Sequence, residues 1–324
     1  IFSPGTGSDN PVNSIALEPP SGEGPVAVAG EFSSIENNAR SRVARLQRTG
    51  GIDTGFLNNL SGANNTIHAM AVQHNADSGT FTLNNTLAIP VPMFQSVLSV
   101  AVTNLNPSLA PRDSGDSLDD LIVATTANNI QVYYKNPLGG FTLMHTLTMN
   151  VSDPASIIMA DMDADMDPDI VVANRGDGSV TIFFNDGDGT DGNGNFTDGA
   201  SLHIPLNGAA DPTLMPQQVI VADLDQKLNG LDIAVACANP GSPTLTDLYV
   251  VLSGDNSATV YNPVPLNLGG RRLTFGVAAG EMDGSDGVDL VLTEYQLDAL
   301  AALVPGTGAA RVLSNDGDGG FSVG

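Results

Sequence analysis

The chain has 324 residues, 41% of them hydrophobic, a share that belongs to globular proteins with a sizeable core and not to disordered chains. Acidic residues outnumber basic ones by 36 to 11, for a formal net charge of −25, and a surface of that sign repels nucleic acid and anionic lipid, which excludes nucleic-acid partners. No apolar run approaches the length of a membrane-spanning helix, so no direct membrane insertion is expected.

The core has to be built from Val, Ile, Leu and Ala, because aromatic residues make up only 5% and Trp is absent. With 36 Gly and 20 Pro the chain is punctuated by turns, which suits many short strands. The single cysteine, Cys237, closes the apolar run Ile233-Ala234-Val235-Ala236 and reads as a buried thiol. The first residues, Ile1-Phe2-Ser3-Pro4-Gly5, carry neither an initiator Met nor a charged region followed by an apolar stretch. The expectation is a segment of a longer polypeptide.

In the first 95 residues, Phe2-Ser3-Pro4-Gly5-Thr6-Gly7 followed by the apolar run at 11–17 recurs as Gly55-Phe56-Leu57-Asn58 followed by the run at 65–72. Between them lie Val26-Ala27-Val28-Ala29-Gly30, then Arg40-Ser41-Arg42-Val43-Ala44-Arg45-Leu46, then Gly51-Ile52-Asp53-Thr54-Gly55-Phe56. This succession resembles the bacterial delta-sixty β-propeller repeat, which implies a fold but no chemistry. The four arginines from Arg40 to Arg48 are expected to form structural salt bridges with turn carboxylates.

From residue 96 a second repeat type takes over. Apolar runs at 97–102, 157–160, 218–222 and 276–280 each lead into an acidic or Asn-rich loop and then a second apolar run. The loops start at 104, 161, 223 and 281, at intervals of 57, 62 and 58 residues, a regularity that marks four copies of one unit. Each copy continues with a third strand and a Gly/Asn/Asp hairpin, as at 180–189 and 311–321, where tight turns need positive φ. Since the chain stops just after the last hairpin, the last unit is expected to lack its outer strand or to borrow one.

The loop at 161–169 reads Asp-Met-Asp-Ala-Asp-Met-Asp-Pro-Asp, with carboxylates at every second position. Curled around one point, Asp161, Asp163, Asp165 and Asp169, with the carbonyl of Asp167, can supply oxygens to a hard cation such as Ca²⁺. Without a counter-ion these charges repel one another. Both flanks read as strands, unlike the helices of an EF-hand.

The loop resembles the D-x-D-x-D-G-x-x-D-[I/L] motif of FG-GAP/VCBS repeats, the blades of integrin-α-type propellers, with Met166 where that motif has glycine. The resemblance implies Ca²⁺ between the first two strands of a blade. By position it also assigns a weaker site to Glu281, Asp283, Ser285 and Asp289, with the carbonyl of Gly287. In the loop of Asp223, Asp225 and Asp232 an extra residue shifts the register and Lys227 stands at position five, so no ion is expected there. Asn104, Asn106 and Asp120, split by an insertion, make the poorest case.

The expected fold is all-β: one β-propeller over 1–324, delta-sixty-like at 1–95 and FG-GAP/VCBS-like at 96–324, with four-stranded blades. First-strand candidates near 14, 67, 97, 157, 218 and 276 favour six blades, with five and seven as alternatives. The expected function is a non-catalytic, Ca²⁺-binding module that engages a protein or glycan partner in a bacterial extracellular, surface or periplasmic protein. A Ca²⁺-dependent polysaccharide lyase and a coat-like scaffold are the alternatives. His68, His74, His145 and His203 are scattered, and no G-x-S-x-G elbow is present, so no catalytic residue is assigned. Arg175-Gly176-Asp177 spells RGD within a turn sequence.

Overall fold

The computed structural model describes residues 12–17, 26–30, 32–35, 38–39, 42–47, 52–54, 96–105, 119–136, 140–165, 167–185, 196–227, 230–238, 248–254, 257–266, 272–282, 284, 287–297 and 308–323. Every regular element among them is a strand. The N-terminal part holds β1 (Val12–Leu17), β2 (Val26–Gly30), the short pair β3 (Ser34–Ile35) and β4 (Asn38–Ala39), and β5 (Val43–Leu46). Of these, β1, β2 and β5 form a three-stranded antiparallel sheet. Arg45 anchors its edge, with Nε and Nη2 donating to Asp53 Oδ2 at 2.8 and 2.6 Å, the salt bridge to a turn carboxylate that the sequence predicts.

Four four-stranded sheets follow in series, each pairing its strands in chain order. They are β6 (Val97–Thr103), β7 (Asp120–Thr125), β8 (Asn129–Lys135) and β9 (Phe141–Leu147); then β10 (Pro154–Ala160), β11 (Asp169–Asn174), β12 (Ser179–Asn185) and β13 (Phe196–Pro205). The third is β14 (Pro216–Ala222), β15 (Asp232–Cys237), β16 (Leu248–Gly254) and β17 (Ser257–Leu266), and the fourth β18 (Arg272–Gly280), β19 (Asp289–Gln296), β20 (Ala309–Asn315) and β21 (Phe321–Val323). The first strands β6, β10, β14 and β18 lie side by side, and β1 meets β18. Antiparallel meanders set radially with their first strands innermost are the blades of a β-propeller.

One expectation needs correcting. The last sheet does not lack an outer strand, because Phe321–Val323 pairs with β20 from Leu313 to Asn315. The first-strand candidates near 14, 97, 157, 218 and 276 correspond to β1, β6, β10, β14 and β18. The candidate near 67 lies outside the described residues. The N-terminal sheet has three strands among the described residues, where four were expected.

The first strand of each of the five larger sheets carries a bulge near its start, between Val12 and Ser14, Val97 and Ser99, Pro154 and Ser156, Pro216 and Gln218, and Thr274 and Gly276. A bulge re-aims a side chain out of the ladder, and here the re-aimed oxygen reaches the neighbouring sheet. Ile157 N donates to Ser99 Oγ at 3.1 Å, Val219 N to Ser156 Oγ at 3.4 Å and Val277 N to Gln218 Oε1 at 3.1 Å. Gly276, at the bulge of the last sheet, leaves room for Thr293 and for that glutamine: a Cβ there would meet Thr293 Oγ1 at 2.6 Å and Gln218 Oε1 at 3.1 Å.

The core lies between sheets. Val171 and Ala173 of β11 pack with Val219, Ile233 and Val235 of the following sheet, while Ile170 and Val172 face Leu105, Ile122 and Ile130 of the preceding one. A strand covered on both faces can be apolar at consecutive positions. This is why β11 and β15 read as unbroken apolar runs and are buried at every residue. Cys237 ends one such run, buried as expected.

Candidate metal centre

Each loop between a first and a second strand ends on a buried aspartate that opens the second strand: Asp120, Asp169, Asp232 and Asp289. One carboxylate oxygen accepts the backbone N–H of the second loop residue. Leu105, Met162, Leu224 and Met282 donate to Oδ2 at 3.0, 2.7, 2.8 and 2.8 Å. The other oxygen accepts from the far end of the third strand, where Lys135, Asn185, Ser253 and Asn315 donate to Oδ1 at 2.8, 2.8, 2.8 and 2.9 Å. The last aspartate is therefore a clasp that ties the loop to the third strand in all four sheets. The sequence pairs Asp169 and Asp289 with an ion only; this second duty is invisible there because the donors are main-chain groups. Asp120 serves it as well as the others despite the insertion before it.

In the 161–169 loop, Asp161, Asp163 and Asp169 each present a carboxylate oxygen, all within 4.8 Å of one another. Asp165 lies beside them and is turned to the loop itself, its Oδ1 accepting from Asp167 N at 2.9 Å, while Asp161 Oδ1 accepts from Asp165 N at 3.1 Å. Burial pushes the Asp169 carboxyl up to about 7 against the pull of its two N–H donors, and the charges of Asp163 and Asp165 add to the rise. Asp163 is raised by burial and by its Asp165 and Asp161 neighbours, and Asp167 by burial and the same two charges. Among the described residues, no cation is among the causes of these shifts, and a divalent ion at their centre would favour the ionised forms. Oxygen-only donors on a loop suit Ca²⁺.

Ala164 takes φ of 64° at the fourth loop position, where Gln226 and Gly284 take 53° and 81° in the corresponding loops. The left-handed residue of this turn is thus the fourth, while Met166, at the glycine position of the family motif, lies outside the described residues. Tyr261 was not foreseen as part of the site. Its hydroxyl donates to Met162 O at 3.5 Å, and burial followed by the charges of Asp169, Asp232 and Asp163 pushes its ionisation up. It stands between two acidic loops. Nothing in the sequence distance between 162 and 261 points to it.

The second of those loops departs from expectation. Asp223, Asp225 and Asp232 also present oxygens within 4.8 Å of one another, despite the extra residue. Lys227 Nζ lies 2.9 Å from Asp225 Oδ2. At 281–289, Glu281 Oε1 accepts from Gly284 N at 2.6 Å, and Asp289 is engaged as the clasp. Gly287 packs against Asn315. Asp283 and Ser285 lie outside the described residues, as do Asn106 and residues 186–195, an Asp- and Gly-rich run that the sequence offers equally as a further ion loop or an elongated turn.

The RGD tripeptide occupies the turn between β11 and β12, with both charged heads engaged. Arg175 Nε and Nη2 donate to the carboxylate of Asp153 at 2.8 and 3.1 Å, and Asp177 Oδ1 accepts from Ser179 Oγ at 2.6 Å. Gly176 and Gly178 are required by close packing against Ser152 and Asp211. This is a turn locked to its own sheet. His203 sits 3.6 Å from Asp177 Oδ2 and 3.2 Å from Thr181 Oγ1, an Asp-His-Thr grouping, yet the hydroxyl is fully buried and donates to Asn150 O at 2.7 Å. It is not placed as a nucleophile. His145 packs between Tyr134 and Phe196; His68 and His74 lie outside the described residues.

Residues 114–172 match the FG-GAP-like repeat family, a span that contains the second strand of one blade and the whole 161–169 loop of the next. No curated protein matches the chain. Among solved structures, a protein from Lactobacillus plantarum is similar over 96% of this chain and 69% of its own, at 12% identity and a TM-score of 0.43. A GH43 β-1,3-galactosidase with galactodeoxynojirimycin is similar over 96% and 92%, at 8% identity and 0.46. An exo-β-1,3-galactanase from Clostridium thermocellum is similar over 96% and 60%, at 10% identity and 0.45.

Proposed function

We propose that this FG-GAP-repeat β-propeller is a non-catalytic binding or scaffold module braced by Ca²⁺ at the 161–169 loop, engaging a protein or glycan partner within a larger exported or surface protein. The observation that carries the reading is the convergence of Asp161, Asp163 and Asp169 on one point, with burial and mutual repulsion raising two of them. The ion neutralises that charge and fixes the loop, while the Asp169 clasp ties the loop to the end of the third strand. Asp165, whose Oδ1 accepts from Asp167 N, and the carbonyl of Asp167 are the further oxygens the loop can turn to the ion. An extracellular setting fits such a site, since modules with few formal ligands bind Ca²⁺ at about 10⁻⁴–10⁻³ M, a range that extracellular Ca²⁺ fills.

The test is a thermal melt with Ca²⁺, with Mg²⁺ and with chelator, beside a calorimetric titration. An ion bound only by the folded state stabilises by about 2.7 kcal/mol at a hundredfold excess over Kd. We expect a Ca²⁺-specific rise in Tm and its loss in Asp163→Ala. If Asp163→Ala keeps both the ion count and the Ca²⁺ response, the loop is not the site. The partner half of the reading is tested on immobilised polysaccharides: retention without release of reducing ends supports a binding module, and release of sugars overturns the non-catalytic assignment.

A further inference from the structure

We propose that Lys227 is the resident cation of the 223–232 loop, its ammonium group taking the place that a divalent ion would take in the 161–169 loop and joining this blade to the next. The inference borrows from the preceding reading only that an Asp loop of this shape needs positive charge.

Three carboxylates, of Asp223, Asp225 and Asp232, come within 4.8 Å of one another. Asp225 and Asp232 are almost completely buried, so their charges are poorly screened. The two loops share their frame: a clasp aspartate at the end, a left-handed fourth residue, and an aspartate at positions one and three. They differ at position five, where Asp165 stands in one and Lys227 in the other. A carboxylate there adds a ligand for a metal ion; an ammonium removes the need for one.

The geometry around Lys227 fits that role. Its Nζ donates to Asp225 Oδ2 at 2.9 Å, and its own N–H donates to Asp225 Oδ1 at 3.1 Å, so backbone and side chain grip the same carboxylate. The charges of Asp318 and Asp232 also act on the ammonium. Asp318 belongs to the turn between β20 and β21, and Gly319 of that turn packs on Asp225 and Leu252. In the same seam Asn315 Nδ2 donates to Leu224 O at 2.8 Å. The ammonium thus holds the carboxylate of Asp225, on which the turn of the next blade packs, and, unlike a bound ion, it cannot be removed by chelation.

The test uses the full chain and two variants, with Ca²⁺ calorimetry and melts in chelator. Lys227→Asp restores the ligand pattern of the 161–169 loop and is expected to bind one more Ca²⁺ than the parent protein. Lys227→Met removes the charge without adding a ligand and is expected to lower Tm in chelator by about 1–3 °C, a deficit against the parent that disappears when both are melted in Ca²⁺. The proposal is overturned if Lys227→Asp binds the same number of ions as the parent, or if Lys227→Met melts as the parent does in chelator. The parent's own ion count bears on the 161–169 and 281–289 loops, and the differences between parent and variants bear on Lys227 alone.

Discussion

Ala164 holds φ of 64° without the freedom of glycine, as does Gln226 at 53°, whereas the equivalent residue in the last blade is Gly284. A left-handed conformation costs a residue with a Cβ about 1–2 kcal/mol, partly offset in glycine by its greater entropy when unfolded. Ala164→Gly is therefore expected to stabilise the protein by about 0.5–1 kcal/mol in denaturant titrations, and Gly284→Ala to destabilise it by a similar amount. At the same scale, Asp169 sets a pH dependence. Its carboxyl stands at about 7 in the fold against an ordinary 3.8, so between those values the folded chain keeps a proton that the unfolded chain has lost. The stability it contributes is complete below about pH 4 and is lost as pH rises through about 7. Ion-free protein should accordingly gain from acidification between pH 8 and pH 5 through this group, and Asp163 and Asp167 act in the same direction. Ca²⁺ favours the ionised form and reverses the trend, so its binding near pH 6 should release protons, measured as a buffer-dependent heat in calorimetry.

Between elements, the recurring bond from a bulge residue to the next first strand joins blades without a ladder. Ser99 is almost fully buried when it accepts from Ile157 N. Ser99→Ala leaves that N–H without its acceptor and should cost about 1–3 kcal/mol, readable as a lower Tm with an unchanged Ca²⁺ count. The strands involved were legible in the sequence for a physical reason. A strand buried on both faces, such as β11 or β15, must be apolar throughout, and the loop before it must be polar, so the 57-, 62- and 58-residue rhythm shows through at low complexity of pattern. What was not legible is what depends on main-chain donors or on distant partners: the clasp role of Asp120, Asp169, Asp232 and Asp289, the reach of Ser99 to the next blade, and the approach of Tyr261 to Met162 O across 99 residues. The short fourth strand Phe321–Val323 was missed because three residues carry almost no periodicity.

Across the molecule, the seams between blades are alike in construction but unequal in completeness. The second loop residue plugs the following seam: Leu105, Met162 and Leu224 are buried, and their carbonyls accept from Asn185, Tyr261 and Asn315 of the next blade at 3.4, 3.5 and 2.8 Å. The fourth copy of that position, Met282, is 53% exposed. Among the described residues, then, the seam after the last sheet gives its plug least cover. Burial of such a side chain contributes about 1.5–3 kcal/mol, so a blade whose plug is bare is held more weakly on that side. Stability in a fold built from repeats is nearly a sum over neighbouring interfaces, and opening starts at the poorest of them. Hydrogen exchange on the ion-loaded protein should therefore show β18–β21 opening at lower free energy than β10–β13, which is packed by complete seams on both faces. Brief peroxide treatment followed by mass spectrometry gives a second readout, with Met282 oxidised well before Met162. Equal exchange of the two sheets, together with equal oxidation of the two methionines, would mean that the exposed Met282 does not mark a weak seam and that the blades open as one unit.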